Sequence, residues 1–185
     1  MIITERDIKI KEFLKEVSVA DTKTISILFF NGSLRRCQQR LKILTDINYI
    51  RFFREGIPGQ NIFYVGRKPK SWKHKIVFSQ LLSELKLQNI EILKYRTPLK
   101  ICNVIADGFI AINYKGKNKI YLVEVERTKN FNINKYIDLY YSRKWKELFP
   151  VFPSILVITD KKVEKYDKLN ITTCKLDLSN LKIKE

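Results

Sequence analysis

The sequence predicts a mixed α+β/α/β chain in two parts: three helices and a β-hairpin, then an αβββαβ arrangement. Three observations predict this. Apolar residues recur at spacings of three and four over residues 5–17 and 34–47, the mark of amphipathic helices. Short alternating or wholly apolar runs such as 91-EILKYR-96 and 121-YLVEV-125 mark strands. Gly and Pro clusters separate them, notably Gly56, Pro58 and Gly59, and Gly116.

Composition sets the bounds. The chain has 185 residues, 45% hydrophobic and 12% aromatic, enough for packed cores. No apolar run reaches the length of a membrane span, and 1-MIITERDIKIKEF-13 lacks a signal-peptide core. The three cysteines, Cys37, Cys102 and Cys174, are far apart and form no CxxC pair. A zinc knuckle and a disulfide framework are not indicated, and a reducing cytoplasm is expected. The formal net charge is +17, split as +7 over residues 1–70 and +10 over residues 71–185. Such a field favours polyanions, chiefly nucleic acid.

Thr4 is placed to cap a helix over residues 5–17, with Asp7 completing a capping box and Ile8, Phe13, Leu14 and Val17 forming its stripe. Asp21 or Thr22 caps a second helix through Phe30, and Asn31-Gly32 ends it. Ser33 caps the third, LRRCQQRLKILTDI. There Leu34, Cys37, Leu41, Leu44 and Ile47 share one face, and Arg35, Arg36, Gln39 and Lys42 fall opposite. Three cations and an amide on one exposed stripe are the chemistry of a duplex-reading helix: Arg for guanine, Gln for adenine, Lys for phosphate. A solvated basic face is the plainer alternative.

The next segment, 49-YIRFFREGIPGQNIFYVGR-67, reads as strand, turn, strand. Three helices and a hairpin are the order of a winged helix-turn-helix. Arg51, Arg54 and Arg67 border the hairpin, where a wing meets phosphates. The expected domain is residues 1–68, followed by a Lys-Pro-Lys-Ser linker and a second domain over residues 72–185.

In the second part, Ile76, Leu81, Leu82 and Leu85 give a helix, residues 91–96 a strand, residues 103–113 a second strand, and residues 119–128 its hairpin partner. Residues 131–149 read as one long helix, SILVITD as a buried strand, DKKVEKYDKL as a short helix and ITTCKLDL as the last strand. The first six elements have the order of the nuclease core called PD-(D/E)XK after its motif. That resemblance implies a carboxylate pair, Asp107 and Glu124, holding Mg²⁺ or Mn²⁺ as a hard cation that activates water. Glu126 stands where the motif has lysine, and Lys135 on the following helix is placed to deliver that charge instead. Glu84 is a further candidate carboxylate. Edge charges paired with lysines are the alternative reading of Glu124 and Glu126.

Both halves together resemble the replication-relaxation family of plasmids and other mobile elements. The likeness rests on SLRRCQQRLKIL, NIFYVGRK, His74, Ala106-Asp107-Gly108 and 123-VEVERT-128, with Lys135 and Tyr140 or Tyr141. Ala106 departs from the family's proline, while Glu126-Arg127 agrees with its pattern. The resemblance implies double-stranded DNA binding tied to replication, transfer or maintenance, with a homodimer among the expected partners and no membrane. An active endonuclease using Asp107, Glu124, Glu126 and Lys135, and a winged-helix transcriptional regulator, are the alternatives. Paired-histidine relaxase chemistry is disfavoured by the single histidine, and no P-loop is present.

Overall fold

In the computed structural model, which describes residues 2–55 and 60–183, the chain is mixed α+β. It divides into two units, Met1–Asn89 and Ile90–Glu185.

The first unit opens with α1 (Glu5–Val17). Thr4 Oγ1 accepts from the Asp7 amide at 3.4 Å and Asp7 Oδ2 accepts from the Thr4 amide at 2.7 Å, the reciprocal capping box. Ile10, Phe13, Leu14 and Val17 are buried, whereas Ile8 is exposed. Ile10 takes the place expected for Ile8 because 10, 13, 14 and 17 complete the i, i+3, i+4, i+7 set. A two-residue strand, β1 (Ala20–Asp21), leads into α2 (Thr22–Phe29), capped by Asp21 Oδ1 accepting from the Thr24 amide at 2.7 Å.

α3 (Leu34–Asp46) buries Cys37, Leu41 and Leu44. Leu34 and Ile47, at the two ends of the expected stripe, are exposed, and Ser33 caps without a side-chain bond. β2 (Arg51–Glu55) and β3 (Gln60–Tyr64) pair antiparallel, Arg51 opposite Tyr64 and Glu55 opposite Gln60. β1 pairs with the other edge of β3, giving the order β1-β3-β2. The expected turn at Gly56, Pro58 and Gly59 lies outside the described residues.

α4 (Trp72–Leu87) packs on α2, β1 and α1, so the division falls at Asn89/Ile90 rather than at residues 68–72. The reason is burial: Thr24, Ile25, Ser26 and Ile27 of α2 are all buried, and α4 supplies Ile76, Leu81, Leu82 and Leu85. Lys75 Nζ donates to Ser18 Oγ at 2.9 Å and Gln80 Nε2 to Asp21 Oδ2 at 2.7 Å.

The second unit is built on β4 (Glu91–Arg96), β7 (Gly108–Tyr114), β8 (Lys117–Val125), β9 (Ser154–Ile158) and β10 (Ile171–Cys174), in the order β10-β9-β8-β7-β4. β4, β7 and β8 are antiparallel neighbours, while β9 and β10 run parallel to β8. β7 and β8 are joined by Lys115-Gly116, both with positive φ (52° and 78°), the two-residue turn whose twist suits a hairpin. The expected second strand is broken at Asp107, and β5 (Leu99–Ile101) and β6 (Val104–Ala106) form a small separate hairpin.

α5 (Asn134–Ser142) is shorter than expected. Arg143 turns left-handed (φ 57°) and a 3-10 turn, Lys144–Glu147, follows. The break lets the Trp145 indole fold back, its Nε1 donating to the Tyr140 carbonyl at 3.1 Å as the ring joins the core. The short helix expected over residues 160–169 does not form. Val163 and Tyr166 pack against the core from an irregular crossover joining the parallel strands β9 and β10. The core gathers Leu122 on β8, Tyr136 and Leu139 on α5, and Ile155 and Val157 on β9.

Candidate functional site

On α3 the structure leaves Arg35, Arg36, Gln39 and Lys42 exposed along one stripe, opposite Cys37, Leu41 and Leu44. Arg40 is different. Its Nε donates to Asp7 Oδ1 at 2.9 Å, and Nη2 bonds both Asp7 Oδ2 and the Ile2 carbonyl. This clamp ties α3 to α1 and fixes which side of α3 faces outward. Burial raises the Asp7 carboxyl, but the bonds from Arg40 and Thr4 outweigh it and bring the pKa down to about 2.

A groove of about 310 Å³ runs between α3 and the β2–β3 hairpin. Gln38, Lys42 and Asp46 line one wall, and Phe52, Arg54 and Asn61 the other. Phe52 is 44% exposed, a large aromatic open to solvent beside Arg54. The expected pair Arg51 and Arg54 is split. Residues at odd spacing on a strand point to opposite faces, so Arg54 lines the groove, its Nε donating to Asn61 Oδ1 at 3.0 Å. Arg51 lies on the other face, where Nη1 donates to the Gly66 carbonyl at 3.3 Å. Neither Phe52 nor Asp46 was expected at this surface. The signal available for Phe52 was its alternation with Phe53 across the strand.

In the second unit, Asp107 stands one residue before the Gly108–Val123 pair, which sets it opposite Glu124 across the β7–β8 ladder, on the same face. Its Oδ2 accepts from the Val125 amide at 2.8 Å. Asp107 is exposed, whereas Glu124 is 3% exposed. Lys135 Nζ reaches Glu124 Oε1 at 2.6 Å, and the Tyr136 hydroxyl donates to the same oxygen. Burial holds the Glu124 carboxyl above its ordinary value. The Lys135 and Tyr136 bonds oppose the rise, and the charge of Asp107 adds to it. Burial, then the Glu124 charge, drives the Tyr136 phenol upward, with Asp107 and Glu126 contributing. Glu126 lies just past β8, half-buried, its amide donating to the Ile158 carbonyl at 2.9 Å.

The structure therefore brings Asp107, Glu124, Glu126 and Lys135 into one neighbourhood. Tyr136 was missed as a partner of Glu124. A strand carboxylate that must be buried needs donors, and a tyrosine on the inward face of the next helix is one signal for it. Glu84 belongs to the first unit, where it accepts from Gln88 Nε2 at 3.3 Å.

Among the described residues no three His, Cys, Asp or Glu side chains gather to hold a metal ion. A hard divalent cation takes about six oxygens, with carboxylates as its charged ligands. Of the carboxylates here, Glu124 has Oε1 engaged by Lys135 and Tyr136. The positive charge beside Glu124 is an ammonium group.

No protein-family model, curated protein or solved structure matches this chain.

Proposed function

We propose that the chain is a double-stranded DNA-binding protein whose first unit is a winged helix-turn-helix. In this reading α3 enters the major groove, with Arg35, Arg36, Gln39 and Lys42 meeting bases and phosphates, and the β2–β3 hairpin is the wing. The observation that carries it is the outward stripe of three cations and an amide on α3, bordered by a groove that Arg54 and Phe52 close. The Asp7–Arg40 clamp supports it by holding α3 in one orientation. The likeness of the sequence to the replication-relaxation family makes plasmid or mobile-element replication, transfer or maintenance the setting. The test is affinity for a random-sequence duplex at several salt concentrations. Strong, salt-sensitive binding supports the reading; an absence of duplex affinity at low salt removes it.

A second reading, endonuclease activity in a PD-(D/E)XK-like second unit, is favoured by one observation: Asp107, Glu124 and Lys135 converge at the β7–β8 ladder beneath α5. Lys135 would face the attacked phosphate in place of the motif's lysine. Supercoiled plasmid with Mg²⁺ or Mn²⁺ tests this, wild type beside Asp107→Ala. Nicking by the wild type alone supports it, and nicking by neither excludes it.

A further inference from the structure

A second surface of the Ile90–Glu185 unit lies outside both the α3 stripe and the Asp107–Glu124 cluster. Tyr141, at the end of α5, is 53% exposed. Its hydroxyl is 2.8 Å from that of Tyr166, and the Lys168 ammonium donates to it at 3.0 Å. The same ammonium lies 5.2 Å from the Tyr141 ring centroid. Lys168 is thus held by the Tyr141 phenol, which is itself bonded to that of Tyr166.

The ring is held from behind. Tyr141 meets Tyr140 edge to face (5.5 Å, 86°), Tyr140 meets Phe152 likewise (5.3 Å, 78°), and Phe152 meets the buried Trp145 (5.3 Å, 86°). An aromatic set on such a lattice has little freedom left to lose on binding.

We propose that Tyr141 is a stacking platform for a base of single-stranded nucleic acid, with Lys168 meeting the adjoining phosphate. A flat exposed ring accepts any base through its π-face, and a neighbouring cation tracks the backbone. The excess of eight positive charges over residues 90–185 draws such a strand to this unit.

The experiment uses the full chain and a fluorescent oligo-dT. It is run in the wild-type background and again with Arg35→Ala, Arg36→Ala and Lys42→Ala, so that failure of the duplex reading and failure of this one are distinguishable. Tyr141→Ala is expected to weaken oligonucleotide binding about ten- to hundredfold in both backgrounds. Tyr141→Phe, which keeps the ring, retains affinity close to wild type and controls for folding. Lys168→Ala flattens the dependence of log affinity on log salt by about 0.7. The proposal is overturned if the wild type does not bind oligo-dT or Tyr141→Ala binds as tightly as wild type. It also fails if Tyr141→Phe is as weak as the alanine variant, or if only an acidic protein competes for the surface.

Discussion

Lys135 Nζ lies 2.6 Å from Glu124 Oε1, so the cation that steadies a carboxylate inside the β8 strand comes from the helix that follows it. The two are far from equal in exposure: Glu124 is sealed in the core and Lys135 reaches it from the rim. Removing Lys135 leaves a buried carboxylate with Tyr136 as its remaining donor. Lys135→Met is expected to destabilise the fold by about 2 kcal/mol, with Glu124→Gln in the same chain restoring much of it. Chemical denaturation of the single and double variants checks this; equal midpoints for wild type and Lys135→Met contradict it.

That loss carries a pH signature. Burial raises the Glu124 carboxyl above its ordinary 4.5 in the fold. A raised folded pKa gives stability that is full below the unfolded value and lost as pH rises through the folded one. Without Lys135 the rise is larger, so Lys135→Met differs from wild type more at neutral pH than near pH 4.5. Midpoints at both pH values decide it, and a larger difference on the acid side is the contrary result.

Asp7 behaves in the opposite sense. Its pKa falls from 3.8 to about 2 on folding. The Arg40 and Thr4 bonds to this carboxylate therefore contribute stability above pH 3.8, on the order of 2 kcal/mol, which is lost as pH falls through about 2. Arg40→Met is expected to be destabilised at neutral pH and to show a shallower further loss in acid than wild type. Parallel acid-unfolding curves for the two proteins would rule out the clamp as the source.

Cys102 is exposed in the turn between β5 and β6, whereas Cys37 and Cys174 are buried, and burial pushes the Cys37 thiol up to about 12. Alkylation of the native protein is expected to modify one thiol per chain, at Cys102. Peptide mapping identifies the site, and rapid labelling of Cys37 would contradict the packing of α3.

Much of the first unit was legible because its signals are local. Thr4 and Asp7 sit at capping-box spacing, and Cys37, Leu41 and Leu44 at helical spacing, so cap and face followed from the chain itself. Long-range packing decided the rest. α4 carries an ordinary apolar stripe, and nothing local says that it covers α2 in the first unit. Val163 and Tyr166 have helical spacing, yet they cover the core from an irregular crossover. Cys102 takes a left-handed φ of 52°, a conformation that its residue type does not announce. That Asp107 and Glu124 face each other was legible because strand alternation and hairpin register are readable; the roles given to them and to Lys135 came from the resemblance to the nuclease core. The Tyr136 bond to Glu124 was not, since it depends on how far α5 tilts over β8.

A duplex bound along the α3 stripe would release counterions through Arg35, Arg36 and Lys42. The most direct test of such binding is the slope of log affinity against log salt for a random-sequence duplex. Wild type is compared with the triple variant Arg35→Ala, Arg36→Ala, Lys42→Ala. A control loses three exposed lysines elsewhere in the same unit, Lys9, Lys15 and Lys23. The account predicts that the triple variant flattens the slope by about 2 to 3, near 0.9 per phosphate contact, while the control stays close to wild type. Equal slopes for the triple variant and wild type, or an equal loss in the control, would contradict it.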